Sequence, residues 1–491
     1  MAIDHDLLSI QEARDLAARA YQAQLIWKNA TQAEVDRVGA AMADAAFRAS
    51  AMLGQMAHDE TGYGVPDHKR LKNELGSHGV WESIKDIKTV GVVHHDTLNK
   101  VYDIAWPVGV IAALVPSTNP TSTAMYKAIS AVKARDAIVI APHPSAAKCT
   151  YETVRVMAEA AEKAGAPEGL MSCLQYISLP GTQELLKHKR VRLILATGGS
   201  AMVKAAHSVG KPAFGVGPGN VPVYVDRSAD IEKAASYIVN SKAFDCSTIC
   251  ATEQAVVADA PIAAQLKDRM VSYGAYFASA EQTERLRRLL FHPNGAINTA
   301  TVGKPAQTVA AMAGFSIPQS ARIIVTPVTE TGKDEPLSRE KLTTVLAWYV
   351  EDGWEAGCDR CIDLIMFGGR GHSLVIHAQN EDVIMAFGLE KPVFRILVNT
   401  MGTLGAVGLT TGLMPSMTLG AGGEGGSITG DNVSVHHLYN IKRLAYEKAP
   451  PPAAVIQRPG SISTPAAPAV QTDVETLVKQ VVQEIINQTR S

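Results

Sequence analysis

Over the first ninety positions apolar residues recur three and four apart: Ala13, Leu16, Ala17 and Ala20, then Val38, Ala41, Met42 and Ala45, with few glycines between them. This spacing predicts an N-terminal layer of amphipathic helices from Ser9 to about Ile87. The pattern then changes. Short Val- and Ile-rich runs bounded by Pro and Gly alternate with helical stretches: a strand over Val108 to Val115, helix near Met125 to Val132, a strand over Ala137 to Ala141, helix near Ala146 to Ala164, a strand over Val191 to Ala196 and helix near Ala201 to Val209. That rhythm predicts a parallel sheet, with ligands at the carboxyl ends of its strands. A second alternating block runs from about Ile231 to Met417, so two α/β lobes with a cleft between them are expected.

The end of the chain has a different character. Ala449 to Val470 holds six prolines and six alanines in 22 residues with no helical period, which predicts an extended, semi-rigid linker. Beyond it Val474, Leu477, Val478, Val481, Val482, Ile485 and Ile486 make one stripe on a helix over Thr472 to Ser491, with Thr472 as N-cap and Glu475 three residues on. A lone helix of ~20 residues is marginal in water, so its apolar face must bury against something. One destination is the enzyme or oligomer it belongs to; the length of the linker favours docking to another body.

Composition narrows the function. The chain has 491 residues, 46% of them hydrophobic, which calls for two or three packed units. Its 46 basic and 48 acidic residues are well mixed, with a formal charge of -2, and give no electrostatic footprint for nucleic acid or an anionic membrane. Six cysteines are too sparse for a disulfide scaffold, and the opening MAIDHDLLSI lacks the basic and apolar regions of a signal peptide, so a reducing cytosol is expected. No apolar run approaches the ~20 residues that span a bilayer. Small-molecule chemistry in a soluble protein is the reading left.

The segment Ser241 to Gln254, SKAFDCSTICATEQ, carries the most chemistry. A cysteine nucleophile works as its thiolate and needs access and nearby charge-stabilising donors. Taken alone, Cys250 between Ile249 and Ala251 reads as an ordinary buried thiol. In company, the segment resembles the catalytic-cysteine segment of the acylating aldehyde dehydrogenases, matching at Ser241, Lys242, Phe244, Asp245, Ile249, Cys250, Ala251, Thr252, Glu253 and Gln254. The resemblance implies Cys250 as nucleophile, with Cys246, four residues earlier, as the rival.

The same resemblance extends from about Leu7 to Glu447 and implies further roles. Val115 to Thr123, VPSTNPTST, is similar to the family's Pro-x-x-Asn-Pro segment at a strand end. Asn119 is then the oxyanion donor, worth ~3 kcal/mol in such sites, with the Cys250 backbone N–H as partner and Pro116, Ser117 and Thr118 beside the cofactor. Thr197, Gly198 and Gly199 follow a strand and precede a helix, suiting a pyrophosphate at a helix N-terminus, though GxGxxG is absent. The family lines its NAD pocket at Gly199 and Gly217 and matches Pro142 and His143 on the adenosine side. Glu340 matches its ligand for the nicotinamide ribose; read without the family, it is a solvated surface glutamate. His372 resembles the Gly-His pair of acylating members and could orient the CoA thiol or accept its proton; its other reading is a surface loop histidine.

One departure is informative. Hydrolytic aldehyde dehydrogenases carry Glu-Leu-Gly-Gly-Lys after the cofactor lobe, and that Glu activates water. Here the run is Val216-Gly217-Pro218-Gly219-Asn220, without a carboxylate. A thioester at Cys250 then survives until a thiol arrives, which favours acyl-CoA over free acid. Cys358-Asp359-Arg360-Cys361 lacks a second pair and lies in a helical pattern, His94-His95 and His436-His437 lack ligand context, and Gly420 to Gly426 lacks the Lys-Ser/Thr of a P-loop and reads as a flexible loop near the site mouth, so no metal is expected.

The implied fold class is α/β, aldehyde dehydrogenase-like: a Rossmann-like NAD lobe with the N-terminal helices (residues 1–230), an α/β catalytic lobe (231–427) and a small oligomerisation element from segments near 99–106 and 428–448, followed by linker (449–470) and tail helix (471–491). The implied reaction is ping-pong: propionaldehyde or acetaldehyde with NAD, in preference to NADP, then coenzyme A as co-substrate. A homo-oligomer, dimer or tetramer, is expected. Linker and tail resemble the encapsulation peptides of bacterial microcompartments, implying a cytoplasmic enzyme packaged in such a compartment, its tail docked to a shell or cargo protein. The competing readings are a hydrolytic aldehyde dehydrogenase and an inactive cargo or scaffold protein.

Overall fold

The computed structural model describes residues 4–452, 455 and 474–488. The helical N-terminal layer is present as His5–Trp27, Gln32–Arg48, Ser50–Thr61, Pro66–Glu74 and Val80–Ile84. Its boundaries have local causes. Asp4 accepts hydrogen bonds from the Asp6 and Leu7 N–H groups, Thr31 and Glu34 close a capping box, and Gly62, at φ 66°, ends the third helix. Most of the apolar stripe residues named above are buried, with Ala13, Ala17, Ala20, Val38 and Met42 fully enclosed and Ala41 and Ala45 partly exposed.

Two parallel sheets form the body. The first has five strands in the order Met171–Cys173, Ala137–Pro142, Val110–Val115, Val191–Thr197, Ala213–Val216. Its central strand starts at Val110 rather than Val108, because Gly109 turns the backbone at φ 127° and gives its N–H to Asp136 Oδ1 at 2.7 Å. Helix Pro120–Lys133 follows that strand and is buried on every face. Lys127 within it donates to the Leu114 and Leu195 carbonyls at 2.7 and 2.9 Å, fastening the helix to two adjacent strands.

The second sheet has seven strands, ordered Ala275–Phe277, Ile323–Pro327, Val345–Glu351, Glu253–Asp259, Val221–Val225, Leu374–His377, Ile396–Val398, every recorded pairing parallel. Strand Val221–Val225 corrects the expected lobe boundary at 230. It lies inside this sheet, so the chain crosses between sheets at Gly217 to Asn220. The sequence pattern could not show this, since a buried strand looks the same in either sheet.

A third sheet pairs Gly91–Asp96, Val101–Pro107 and Tyr439–Ala445 in that order. By compactness, residues 4–95 with 102–443 are one unit, and 96–101 with the residues from 444 on are another. In the second unit, Lys448 Nζ bonds Asn99 Oδ1 at 2.6 Å. Its helix Val474–Gln488 exposes Leu477, Val478, Val481 and Val482 along one face. The expected cap at Thr472 and most of the expected linker lie outside the described residues. No helix among the described residues is long and apolar enough to cross a membrane.

Candidate active site

The nucleophile segment is shaped by strain and by buried polar pairing. Helix Ile231–Ala243, capped by Asp230, runs into three consecutive residues in the left-handed region: Asp245, Cys246 and Ser247, at φ 47°, 51° and 66°. Non-glycine residues enter this region rarely, and such strain needs outside support. Asp245 provides it. Its Oδ1 accepts the Val65 N–H at 2.7 Å, its Oδ2 accepts Lys69 at 3.2 Å, Thr248 Oγ1 at 2.5 Å and Lys72, and its own N–H donates to His68 Nδ1 at 2.8 Å. The other polar residues of the segment brace the strand that follows. Ser241 Oγ donates to Glu253 Oε2 at 2.5 Å, Glu253 Oε1 accepts the Gly402 N–H at 2.7 Å, and Gln254 Oε1 accepts Lys242 Nζ and the Lys341 N–H, each at 3.1 Å.

These supports deliver Cys250 to the wall of an open-mouthed pocket of about 1040 Å³. Cys246, by contrast, is buried among the residues of its own turn and does not line that pocket. Although Cys250 is partly exposed, the protein around its sulfur pushes the thiol up to about 12, and the Glu340 carboxylate adds to this. Arg395 and the backbone N–H groups of Cys250 and Ala251 pull the other way. Those N–H groups face the sulfur, the kind of donor that suits an oxyanion on a carbon bonded to it.

On the same wall stand Pro116, Ser117, Thr118 and Asn119 from the end of strand Val110–Val115, then His143, then Thr197, Gly198, Gly199 and Gly217, and Glu340. All but Glu340, which precedes strand Val345–Glu351, lie at or follow the carboxyl ends of strands, where parallel sheets place ligands. A Cβ built on Gly199 or Gly217 would meet nothing within 4 Å, so the backbone there faces open space. Gly199 also caps helix Ser200–His207, whose N-terminal N–H groups suit a pyrophosphate. The wall therefore suits a dinucleotide, and the Glu340 carboxyl on it is of the chemical type that could accept from ribose hydroxyls. Pro142 closes strand Ala137–Pro142 behind His143 and does not line the pocket.

Three expectations change. Glu340 is no solvated surface residue: it is 8% exposed, its Oε1 accepts the Gly219 N–H at 3.1 Å, and burial pushes it up to about 7. The Val216 to Asn220 run thus has a carboxylate beside it, contributed from 121 residues away, and its own lack of acid does not settle the fate of a thioester. His372 is no surface histidine either. It is 1% exposed, its Nδ1 pairs with Ser373 Oγ at 3.1 Å, and burial followed by the Arg395 charge brings it down to about 3. It stays neutral at physiological pH rather than titrating there. Finally, the Asn119 amide hydrogens point at Thr118 Oγ1 (3.1 Å) and the Thr248 carbonyl (3.2 Å), so an incoming oxyanion must compete for one of them.

With this geometry established, likeness to known proteins is informative. The profile of the aldehyde dehydrogenase family matches residues 6–281, more than half of the chain. The chain belongs to the aldehyde dehydrogenase family. The bifunctional aldehyde-alcohol dehydrogenase AdhE of Escherichia coli K12 is 37% identical over 442 residues, 89% of this chain and 50% of that protein, so the chain spans about half the length of that relative. Among solved structures, an acetylating aldehyde dehydrogenase from Geobacillus thermoglucosidasius is 48% identical with a TM-score of 0.90, covering 91% of this chain and 99% of its own. A propionaldehyde dehydrogenase from the fucose utilisation microcompartment of Clostridium phytofermentans is 28% identical (TM-score 0.80, 88% and 96% covered), and one from Rhodopseudomonas palustris with bound CoA and an acylated cysteine is 26% identical (TM-score 0.80, 88% and 97% covered).

Within this aldehyde dehydrogenase, several residues of the site carry no sequence signal. Lys72, Thr248 and Arg395 are buried polar groups: Lys72 reaches Asp245 and Asn119 from far along the chain, Thr248 Oγ1 donates to Asp245 three residues before it, and Arg395 donates to Ser373 Oγ at 3.2 Å and to the Gly430 carbonyl at 2.9 Å. A small apolar annex of about 340 Å³ shares Ile249, Val407 and Met417 with the main pocket and is otherwise walled mainly by Leu71, Leu75, Phe244 and Leu404. The alternating pattern predicts that such residues are buried, not that they enclose a space. Met417 and Leu419, just before the glycine-rich run, do line the main pocket, while Gly420 and Ala421 are packed inside rather than loose.

Proposed function

We propose that this chain is a CoA-acylating aldehyde dehydrogenase that converts a short-chain aldehyde, propionaldehyde or acetaldehyde, to its acyl-CoA with NAD as oxidant. One observation carries the reading: Cys250, and not Cys246, stands on the wall that also holds Asn119, Gly199, Gly217 and Glu340. The Cys250 thiolate adds to the aldehyde carbon, and the oxygen that gains charge is met by the Asn119 amide and the backbone N–H groups beside the sulfur. Thr197, Gly198, Gly199, Gly217 and Glu340 would hold a nicotinamide dinucleotide, which would supply the hydride acceptor for oxidation of the adduct. The aldehyde's alkyl group lies toward the apolar annex walled by Leu71, Leu75, Phe244 and Leu404; one methylene shifts binding by only about 1 to 3 kcal/mol, so either propionaldehyde or acetaldehyde fits this reading.

Release to CoA is supported by the acetylating and CoA-bound neighbours. The Glu340 carboxyl, tied to the Gly219 N–H and pushed up to about 7 by burial, is matched to general-base work near neutrality. Its presence is also what keeps a hydrolytic reading in play. NAD over NADP is supported by the pocket lining, which among the described residues holds no Lys or Arg for a 2′-phosphate. The exposed three-stranded sheet, with Trp106 half exposed, supports a homo-oligomer, and the apolar face of helix Val474–Gln488 supports docking to a microcompartment shell or cargo protein. NADH formation from propionaldehyde, with and without CoA, on wild type and Cys250→Ala, tests the reading. Free acid formed at full rate without CoA overturns it.

A further inference from the structure

Two lysines that take no part in the chemistry above are almost wholly enclosed beside it. Lys69 and Lys72, one helical turn apart on Pro66–Glu74, are 2% and 3% exposed. An enclosed ammonium is tolerated only when paired and hydrogen-bonded. Lys69 satisfies this with Asp245 Oδ2 and the Thr118 carbonyl, both at 3.2 to 3.3 Å. Lys72 does more. Besides Asp245 Oδ2 it reaches Asn119 Oδ1 at 2.7 Å and Thr248 Oγ1 at 3.3 Å.

An ammonium can only donate, and a side-chain amide has one accepting and one donating end. The oxygen of Asn119 must therefore face Lys72. Its Nδ2 is thereby turned the other way, to Thr118 Oγ1 and to the Thr248 carbonyl, two residues before the nucleophile. The flipped amide would set N–H groups against Nζ and leave no donor toward Cys250. Asp245 fixes Lys72 in turn, and the same carboxylate supports the left-handed turn that leads to Cys250. Thr118, Asn119, Thr248 and Cys250 all line the pocket, while Lys72 stands behind that wall and touches the small annex.

We propose that Lys72 is a positioning residue: anchored by Asp245 and Thr248, it locks the Asn119 amide in the one orientation that presents N–H groups to an oxyanion at Cys250. The proposal rests on Asn119 being that oxyanion donor. It requires Lys72 to act through Asn119 alone, which a double-mutant cycle reads directly. The measurement is the single-turnover rate of NADH formation from propionaldehyde, the step shared by acylating and hydrolytic enzymes. A wild type that needs no CoA for turnover would sink the proposed function and still allow this cycle.

Asn119→Ala is expected to slow the step by about 10² to 10³, as loss of one oxyanion donor does elsewhere. Lys72→Met is expected to slow it at least about tenfold with the aldehyde KM within about threefold, and to add less than about threefold in the Asn119→Ala background. Lys72→Gln, which keeps N–H donors, should recover part of the loss. Losses that multiply in the double variant, a loss confined to KM, or a Lys72→Met enzyme at wild-type rate each overturn the proposal. If thermal melts show that Lys72→Met does not fold, the same cycle with Lys72→Gln decides on the same criterion.

Discussion

Replacing Glu340 by Gln should move two properties of this enzyme in opposite directions. The carboxyl is 8% exposed and lies close enough to Cys250 for its charge to be the second-largest influence raising the thiol, after burial. It titrates at about 7, so it is about one-tenth ionised at pH 6 and about nine-tenths ionised at pH 8. Charge removal therefore has little to remove at pH 6 and nearly a full unit at pH 8. Alkylation of Cys250 by iodoacetamide reports its thiolate. The ratio of the Glu340→Gln rate to the wild-type rate should be near one at pH 6 and, for a tenfold plateau, reach half of it near pH 8 and level off above about pH 9, because the protonated fraction of the wild type carries the faster reaction; each tenfold is about 1.4 kcal/mol of lost repulsion. Meanwhile the KM for NAD, measured at pH 8 where the carboxyl is ionised, should rise about fivefold, because a hydrogen bond to a charged acceptor contributes roughly 1 kcal/mol more than a neutral one. A ratio that is flat with pH, or below one, would refute the electrostatic coupling. An unchanged KM for NAD would refute the assignment of Glu340 to the ribose.

Cys250→Ala should abolish NADH formation while leaving the melting temperature close to wild type, and Cys246→Ala should keep turnover, as steady-state assays and melts of both will show. Gly219→Ala should cost most of the activity: a Cβ there would sit 2.3 Å from the Cys250 carbonyl oxygen and 3.0 Å from the His372 ring, so the nucleophile's own backbone must shift. Met417→Ala, by opening the wall shared by pocket and annex, should raise kcat/KM for pentanal relative to propionaldehyde by up to about tenfold, the range open to methylene-sized changes; an unchanged ratio would place the alkyl group elsewhere. Deleting Thr472 to Ser491 should leave kcat intact and abolish co-localisation with a compartment shell, whereas lost turnover would make the tail a structural part of the enzyme.

Much of this site could be read from the chain alone, for a definite reason. Helix and strand periods are local, so the N-terminal layer, the strands Ala137–Pro142 and Val191–Thr197 and the stripe on Val474–Gln488 were visible as spacing. Cys250, Asn119, Thr197 to Gly199 and Gly217 were visible because each sits in a short contiguous motif. Tertiary structure decided whatever depends on partners distant in sequence. It set strand Val221–Val225 in the second sheet, and it brought Glu340 onto Gly219 across 121 residues, where a carboxylate had been missed. It also enclosed His372, removing its charge, and joined Lys72 to Asp245 and Asn119 across 173 and 47 residues. Lysine, glutamate and histidine have no fixed meaning in a sequence, because their charge and hydrogen-bonding roles follow from burial and neighbours, and only the folded chain supplies those.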